Sequence, residues 1–291
     1  MRRTLPARSP QRRTQRPQPP PYAHALATVS DETWRRRLGH TDLSDCKPKD
    51  IPLSSGADFS ATTAKDKPFA DGSCYAECVG ALMYISCCTR PDLAYAASCL
   101  AKHMANPCER HWLQLKFLGR YLSATKTAGI VFRKDAPAPA GYVDSDYAAC
   151  KDSRKSRTGF IFLAASGPIS WASKQQNVVA TSTAEAEYIA AAHAAREAIC
   201  LKRVLHFLGN STEPAMVLHC DNQAALHMAK NSSDTVRTKH IDVVHHFLRD
   251  CVSRRLIRMV YIPTDDNPAD MFTKALSAPK FSKFSGLIGV V

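Results

Sequence analysis

Between residues 75 and 122 the apolar positions recur at helical spacing. Residues 75–85 carry Val79, Leu82, Met83 and Ile85 on one stripe. Residues 92–104 follow Pro91, a good helix-start residue. Residues 109–122 carry Trp112, Leu115, Phe117, Leu118 and Tyr121, and Asn106-Pro107 separates them from the helix before. Residues 128–132 read as a short strand, and Asp135-Ala-Pro-Ala-Pro-Ala140 as a linker. From 141 the pattern shortens. Strands are predicted at 141–147, 158–164 and 168–173, the last two joined by a Ser166-Gly167 turn. An Ala-rich helix follows over 182–208 and stops at Gly209. Then come a strand (215–220), helices (221–230 and 241–252), a strand (256–262) and a short helix (267–275). Strands bunched first and then alternating with helices predict an α/β sheet covered by helices.

Residues 1–30 are dominated by Arg and Pro and offer little to bury, so they read as disordered. An Arg-rich transit peptide, a nucleic-acid arm and a merely solvated leader all fit that composition. Trp34-Arg-Arg-Arg-Leu-Gly-His40 reads as a short basic helix, and Lys47-Pro48 and Ile51-Pro52 break any regular element after it.

The 291 residues carry a formal charge of +13. Six Arg and no acid lie in residues 1–22, which leaves +7 for the rest, a moderately basic body suited to a polyanionic partner. No stretch approaches the roughly 18–20 apolar residues of a membrane span. The eleven cysteines are scattered, often beside apolar residues, as at Cys99, Cys200, Cys220 and Cys251. With no signal-peptide pattern, they read as reduced core thiols of an intracellular protein, cytoplasmic or nuclear and not secreted. Cys74, Cys78, Cys87 and Cys88 lack the paired knuckle spacing of a structural zinc site.

Four carboxylates fall where strands end or helices begin. Asp144 lies inside the strand Tyr142-Val-Asp-Ser-Asp146, where a charge is costly to bury unless paired or metal-bound. Glu187 lies on the first turns of the long helix, Asp221 follows a strand, and Asp270 opens the last helix. Capping explains Asp221 and Asp270 individually, and a solvated helix face explains Glu187. Together they form a candidate centre for hard divalent cations, suited to phosphodiester hydrolysis. The four are expected to converge at one edge of the sheet, with Asp144 and Asp221 on neighbouring strands.

The motifs run in order: Tyr142-Val-Asp-Ser-Asp-Tyr147, Arg154-Lys-Ser-Arg-Thr-Gly-Phe160, Ile169-Ser-Trp-Ala-Ser-Lys-Gln-Gln176 and Ser182-Thr-Ala-Glu-Ala-Glu-Tyr188. They continue with Cys220-Asp-Asn-Gln223, Thr238-Lys-His-Ile-Asp242, Tyr261-Ile-Pro-Thr264 and Asn267-Pro-Ala-Asp-Met-Phe-Thr-Lys274. Residues 141–276 thereby resemble the ribonuclease H domain of Ty1/copia-type retrotransposon polyproteins. Residues 46–134 resemble the C-terminal end of the reverse transcriptase, through Cys46-Lys-Pro, Thr89-Arg-Pro-Asp92, His111-Trp112 and Arg120-Tyr-Leu. Residues 1–45 are then a basic leader and 277–291 a tail.

The resemblance implies a mixed five-stranded sheet flanked by helices, preceded by a small helical reverse-transcriptase remnant. It places the metal-binding and catalytic carboxylates on Asp144, Glu187, Asp221 and Asp270, with two Mg2+ or Mn2+ ions. Glu185 is the rival to Glu187; the spacing from Thr181 and the residue after it favour Glu187. Asp146 is expected on the same side as Asp144, supporting the ligands or touching substrate. Lys151, Arg154, Lys155 and Arg157 grip phosphates or form a solvated turn, and Asn222 and Gln223 are further substrate-contact candidates. No His lies in the loop 263–267 before the last acid, which leaves a His-assisted product release without its residue. The implied activity is cleavage of the RNA strand of an RNA–DNA hybrid. No Tyr-x-Asp-Asp turn of a polymerase palm is present, so no polymerase activity is expected, and a reverse transcriptase from another copy is a candidate partner. The alternatives are a decayed or host-retained fragment that binds nucleic acid without cutting, and a structural module needing a polymerase.

Overall fold

A computed structural model describes residues 47–54, 56–134, 136–209, 215–230 and 239–291, with 239–245 in backbone alone. The predicted leader (1–45) and basic helix (34–40) lie outside the described residues. Five strands form one sheet: β1 (Ala140–Asp146), β2 (Arg157–Ala164), β3 (Gly167–Gln175), β4 (Met216–Cys220) and β5 (Ile257–Tyr261). Their order is β3-β2-β1-β4-β5. The β1–β2 and β2–β3 pairs are antiparallel. The β1–β4 and β4–β5 pairs are parallel. The β2–β3 turn places Ala165 and Ser166 at φ 53° and 59°. Positive φ at both turn residues matches the right-handed twist of the flanking strands.

The crossover from the antiparallel half to the parallel half is α4 (Thr183–Phe207). Its buried face is built from Ala186, Ala190, Ala191, Ala194, Ala195 and Ala198. Side chains this small let the helix lie close against β1, β2 and β4, and those from Ala190 onward form one core with Val143, Phe160, Phe162, Tyr188, Leu218 and Met259. Helices α5 (Gln223–Lys230) and α6 (Lys239–Ser253) pack against α4.

Of three earlier helices, α1 (Gly72–Cys88), α2 (Ala94–Ala101) and α3 (Glu109–Ala124), α2 lies against β3, and α1 and α3 pack on α2. Trp171 Nε1 donates to the Ser86 carbonyl at 2.6 Å, and Arg157 Nη1 to Ser98 Oγ at 2.7 Å. Within this part the buried Arg90 guanidinium grips Asp92 with Nε and Nη2, and Tyr121 Oη donates to the same carboxylate at 2.7 Å. A paired and fully hydrogen-bonded charge is the form in which burial is tolerated.

Several expectations change. The predicted 92–104 helix is a 3-10 turn (Pro91–Leu93) leading into the shorter α2. The predicted strand at 128–132 is instead a short main-chain pairing with the end of the chain: Gly129 N donates to the Val291 carbonyl and Val131 N to that of Gly289, each at 2.9 Å. Gly289 makes this possible, because its φ is +76° and a Cβ there would stand 2.6 Å from the Ser166 carbonyl oxygen. The last short helix is a 3-10 segment, Pro268–Phe272, because Asn267 is held by the sheet and donates from Nδ2 to the Val143 carbonyl at 3.0 Å. Residues 277–291, read as a tail, contain α7 (Ala278–Leu287), anchored by Phe281, Phe284 and Ile288. Cys200 is exposed rather than in the core, whereas Cys99, Cys220 and Cys251 are buried; no described cysteine is in a disulfide.

Gly159 marks a close approach that seats the 268–274 segment on the sheet. It pairs with Asp144 across β1–β2, and a Cβ there would lie 2.6 Å from Thr273 Cγ2 and 2.7 Å from Phe272 Cβ. Gly159→Ala should therefore push that segment off the sheet and cost roughly 1–3 kcal/mol. Urea unfolding midpoints of the two proteins measure it, and an unchanged midpoint would show that the segment gives way freely.

Candidate metal centre

The parallel pairing of β1 with β4 ends at Val143 and Cys220, and the next residue on each chain is an aspartate. Asp144 is 2% exposed. Its Oδ2 accepts from Thr273 Oγ1 and lies 3.7 Å from Lys274 Nζ. Asp221 is half-buried and accepts from Thr264 Oγ1 at 2.7 Å. Glu187, on the second turn of α4, reaches the end of β1, where the Ser145 amide donates to Oε1 at 3.1 Å. Its Oε2 lies 3.9 Å from Cys220 Sγ. Asp270 is fully buried.

Two overlapping groups result. Donor atoms of Asp144, Asp221 and Asp270 lie within 4.8 Å of one another, and so do those of Glu187, Cys220 and Asp221. Asp221 belongs to both, so the four predicted carboxylates meet at one place on the sheet edge. Glu185 does not join them. Its carboxylate accepts from the Thr181 amide at 2.7 Å and from Thr181 Oγ1, while the Ser182 hydroxyl caps α4 by accepting from the Glu185 amide. Glu185 is committed to starting the helix, and Glu187, two residues on, faces the cluster.

The electrostatics follow from burial. Loss of solvent raises the Asp144 carboxyl to about 7; Asp270 and Asp221 push the same way, while Lys274 and Thr273 oppose. Burial, then Asp144 and Asp221, hold Glu187 well above the usual carboxylate range. Asp146 is also raised, chiefly by burial. Burial alone would lower the Lys274 ammonium, but Asp144, Asp270 and Asp221 reverse that and raise it. Desolvated like charges this close favour a cation among them.

The chemistry of the donors fits a hard divalent ion. Both Asp270 oxygens are buried, and among the described residues no hydroxyl or amide donates to them. Each is instead met by an ammonium at 2.9 Å, Oδ1 by Lys274 and Oδ2 by Lys280. The carboxylate oxygens of the two groups could hold a metal ion, and one group adds the Cys220 thiol.

The basic loop divides. Arg157 is a strand residue already bonded to Ser98 and Ser173 and stacked over Tyr95. Lys151 is exposed and paired with Asp58 at 3.0 Å. Lys155 lines a cavity of about 110 Å³ with Lys102, Tyr95 and Arg157, and Arg154 is exposed. Asn222 caps α5, its Oδ1 accepting from the Ala225 amide at 3.0 Å, and Gln223 is exposed on the first turn. Residues that sequence reasoning left without a role here are Thr273, Lys274, Lys280, Thr264 and Cys220. The one available signal was Lys274 four residues after Asp270 in a helical register.

A mixed sheet in this order, flanked by helices and carrying acids at one edge, is the ribonuclease H-like α/β class of protein. The chain belongs to the retrovirus-related Pol polyproteins of copia-type transposons. It is 40% identical over 267 residues to the "Retrovirus-related Pol polyprotein from transposon TNT 1-94" of Nicotiana tabacum, covering 90% of this chain and 20% of that protein. It is 35% identical over 255 residues to the polyprotein from transposon RE2 of Arabidopsis thaliana, covering 87% of this chain and 17% of that one. The chain thus spans about a fifth of the length of these curated relatives. A shorter relative, "Secreted RxLR effector protein 161" of Plasmopara viticola, is 43% identical over 128 residues, 44% of this chain and 90% of that protein. No family model matches. Among the described residues no helix is long and apolar enough to cross a membrane.

A carboxyl raised to about 7 has an unambiguous sign. Ionised Asp144 destabilises the fold above that pH, and the penalty disappears as pH falls toward the unfolded value near 3.8. Without divalent ions, Asp144→Asn should be more stable than wild type by roughly 1–3 kcal/mol at about pH 8, with the gain vanishing near pH 4. Urea midpoints across that range test this; an Asn variant less stable at pH 8 would rule out charge burial as the cause.

Proposed function

We propose that this chain is a divalent-metal-dependent ribonuclease H that cuts the RNA strand of RNA–DNA hybrids. Residues 141–276 form the nuclease, and residues 46–134 correspond to the end of the reverse transcriptase in the same polyprotein. One observation carries the reading. Four carboxylates, delivered by a strand, a long helix, a strand end and a 3-10 segment, meet in a desolvated cluster where both Asp270 oxygens are met by ammoniums alone.

Asp144, Asp221 and Asp270 would hold one ion, and Glu187 with Asp221 a second. When bound, the ions supply neutralisation of the scissile phosphate and a more acidic water. The protein's part is to hold the acids rigidly. Thr273 fixes one oxygen of Asp144, the Ser145 amide fixes Glu187, and Thr264 fixes Asp221. Preset ligands need little reorganisation when charge develops on the phosphate. The partner is a nucleic acid duplex held by cations beside the cluster, with a reverse transcriptase supplied by another copy.

Asp144→Asn should lower Mg2+-dependent cleavage of a labelled hybrid by at least about 10³-fold, near 4 kcal/mol of transition-state stabilisation. Hybrid binding, measured on the same variant, should stay close to wild type, because phosphate contacts on the basic surface carry it. Cleavage surviving in the variant would place the active site elsewhere. Wild type that binds hybrid and never cuts would favour the non-catalytic fragment.

The basic loop gives a second test. Arg157 is occupied within the fold, so the phosphate contacts fall to Lys151, Arg154 and Lys155. Neutralising these three should weaken hybrid binding and make its log–log salt slope shallower by about 2–3. An unchanged slope identifies the loop as a solvated turn.

A further inference from the structure

Two ammoniums penetrate the acid cluster from the C-terminal side. Lys274 follows the 3-10 segment and stands 2.9 Å from Asp270 Oδ1 and 3.7 Å from Asp144 Oδ2. Lys280, on the first turn of α7, stands 2.9 Å from Asp270 Oδ2 and 3.4 Å from Asp265 Oδ1. Both oxygens of a carboxylate that is 0% exposed therefore face a lysine, while the lysine side chains keep 38% and 27% of their own exposure. These are the same lone pairs a divalent ion would use.

We propose that Lys274 and Lys280 are built-in counter-cations that compete with divalent ions for Asp270 and Asp144, and so set the metal concentration at which the centre fills. The proposal rests on reading the cluster as a metal centre. Charge supports it. With all four carboxylates ionised, the two ammoniums offset half of the negative charge that draws a divalent ion, and they do so at Asp144 and Asp270. Residue type supports it too. An arginine would bind a carboxylate through two parallel bonds and resist exchange, whereas a lysine is a point charge on a flexible stem.

The two lysines differ in where they can go. Lys280 has an exit: Asp265, with a side chain 94% exposed, is already within 3.4 Å, and the Phe284 ring lies 5.5 Å away. Lys283 does not take its place, being held by Asp266 at 2.8 Å and by the Asp265 carbonyl at 2.6 Å. Among the described residues the ion pairs of Lys274 are with Asp144 and Asp270, both in the cluster, and Asp221 and Asp146 act on it as well. Lys280 is thus the exchangeable cation and Lys274 the resident one, and the metal centre is coupled through Lys280 to helix α7.

The test is calorimetric titration of the full chain with Mn2+, without substrate, for wild type, Lys280→Met, Lys280→Arg and Lys274→Met. Near-ultraviolet circular dichroism checks that each is folded, and Lys280→Gln replaces the Met variant if that one is not. Removing either charge should tighten Mn2+ binding by about tenfold or more. Lys280→Arg should bind as weakly as wild type or more weakly. Binding seen only after a lysine is removed would support the proposal equally. Wild type that binds Mn2+ while the Met variants bind no tighter would overturn the competition and leave the metal centre standing. No heat from any variant at millimolar Mn2+ would overturn both.

Discussion

Everything at the working edge of this molecule answers to the repulsion between carboxylates packed out of water. Asp144, Glu187 and Asp270 are buried, and Asp221 joins them from the half-exposed end of β4. Left alone, such charges would drive the edge apart or force protons onto it. The surroundings are arranged around that problem. A hydroxyl serves Asp144 and another serves Asp221, a backbone amide serves Glu187, and two lysines serve Asp270. The sheet supplies rigidity for two of the acids, since Asp144 and Asp221 sit just past the last parallel pair and cannot shift without distorting β1 or β4. Repulsion of this kind costs the fold stability, and the same grouping of oxygens could hold a cation.

Much of this frame was legible in the residues. The strand positions 142–146, the Ala-rich helix and the alternation afterwards follow from periodicity, and each lies close to where the pattern put it. The convergence of four acids followed from the motifs, and even the choice of Glu187 over Glu185 followed from the spacing after Thr181. The reason became visible only in three dimensions: Glu185 closes the helix start upon Thr181.

The features that were not legible share a cause, which is dependence on distant partners. Residues 128–132 have a strand's pattern, but they pair with the far end of the chain. Helix α7 hides behind lysines and serines and is fixed by three apolar anchors whose partners lie elsewhere. The segment 267–275 has good helix composition, yet Asn267 is tied to β1 and Gly159 invites close contact, so the chain tightens into a 3-10 turn. Arg157 sits in a basic run, and only its neighbours Ser98 and Tyr95 show that it is occupied by the fold. Local pattern gives the elements; pairings across many residues decide which side chains remain available.

The bond between Thr273 and Asp144 spans 129 residues. On a ribosome, at about 5–20 residues per second, the first acid is made roughly 6–26 s before the partner that holds it. Through that interval the sheet can assemble its first hairpins while Asp144 stays in water, where its charge costs nothing. Asp144 cannot be covered by Thr273 or paired with Lys274 before the 268–274 segment exists. Lys274 and Lys280 thus come within reach of Asp144 and Asp270 only after all five strands have been made.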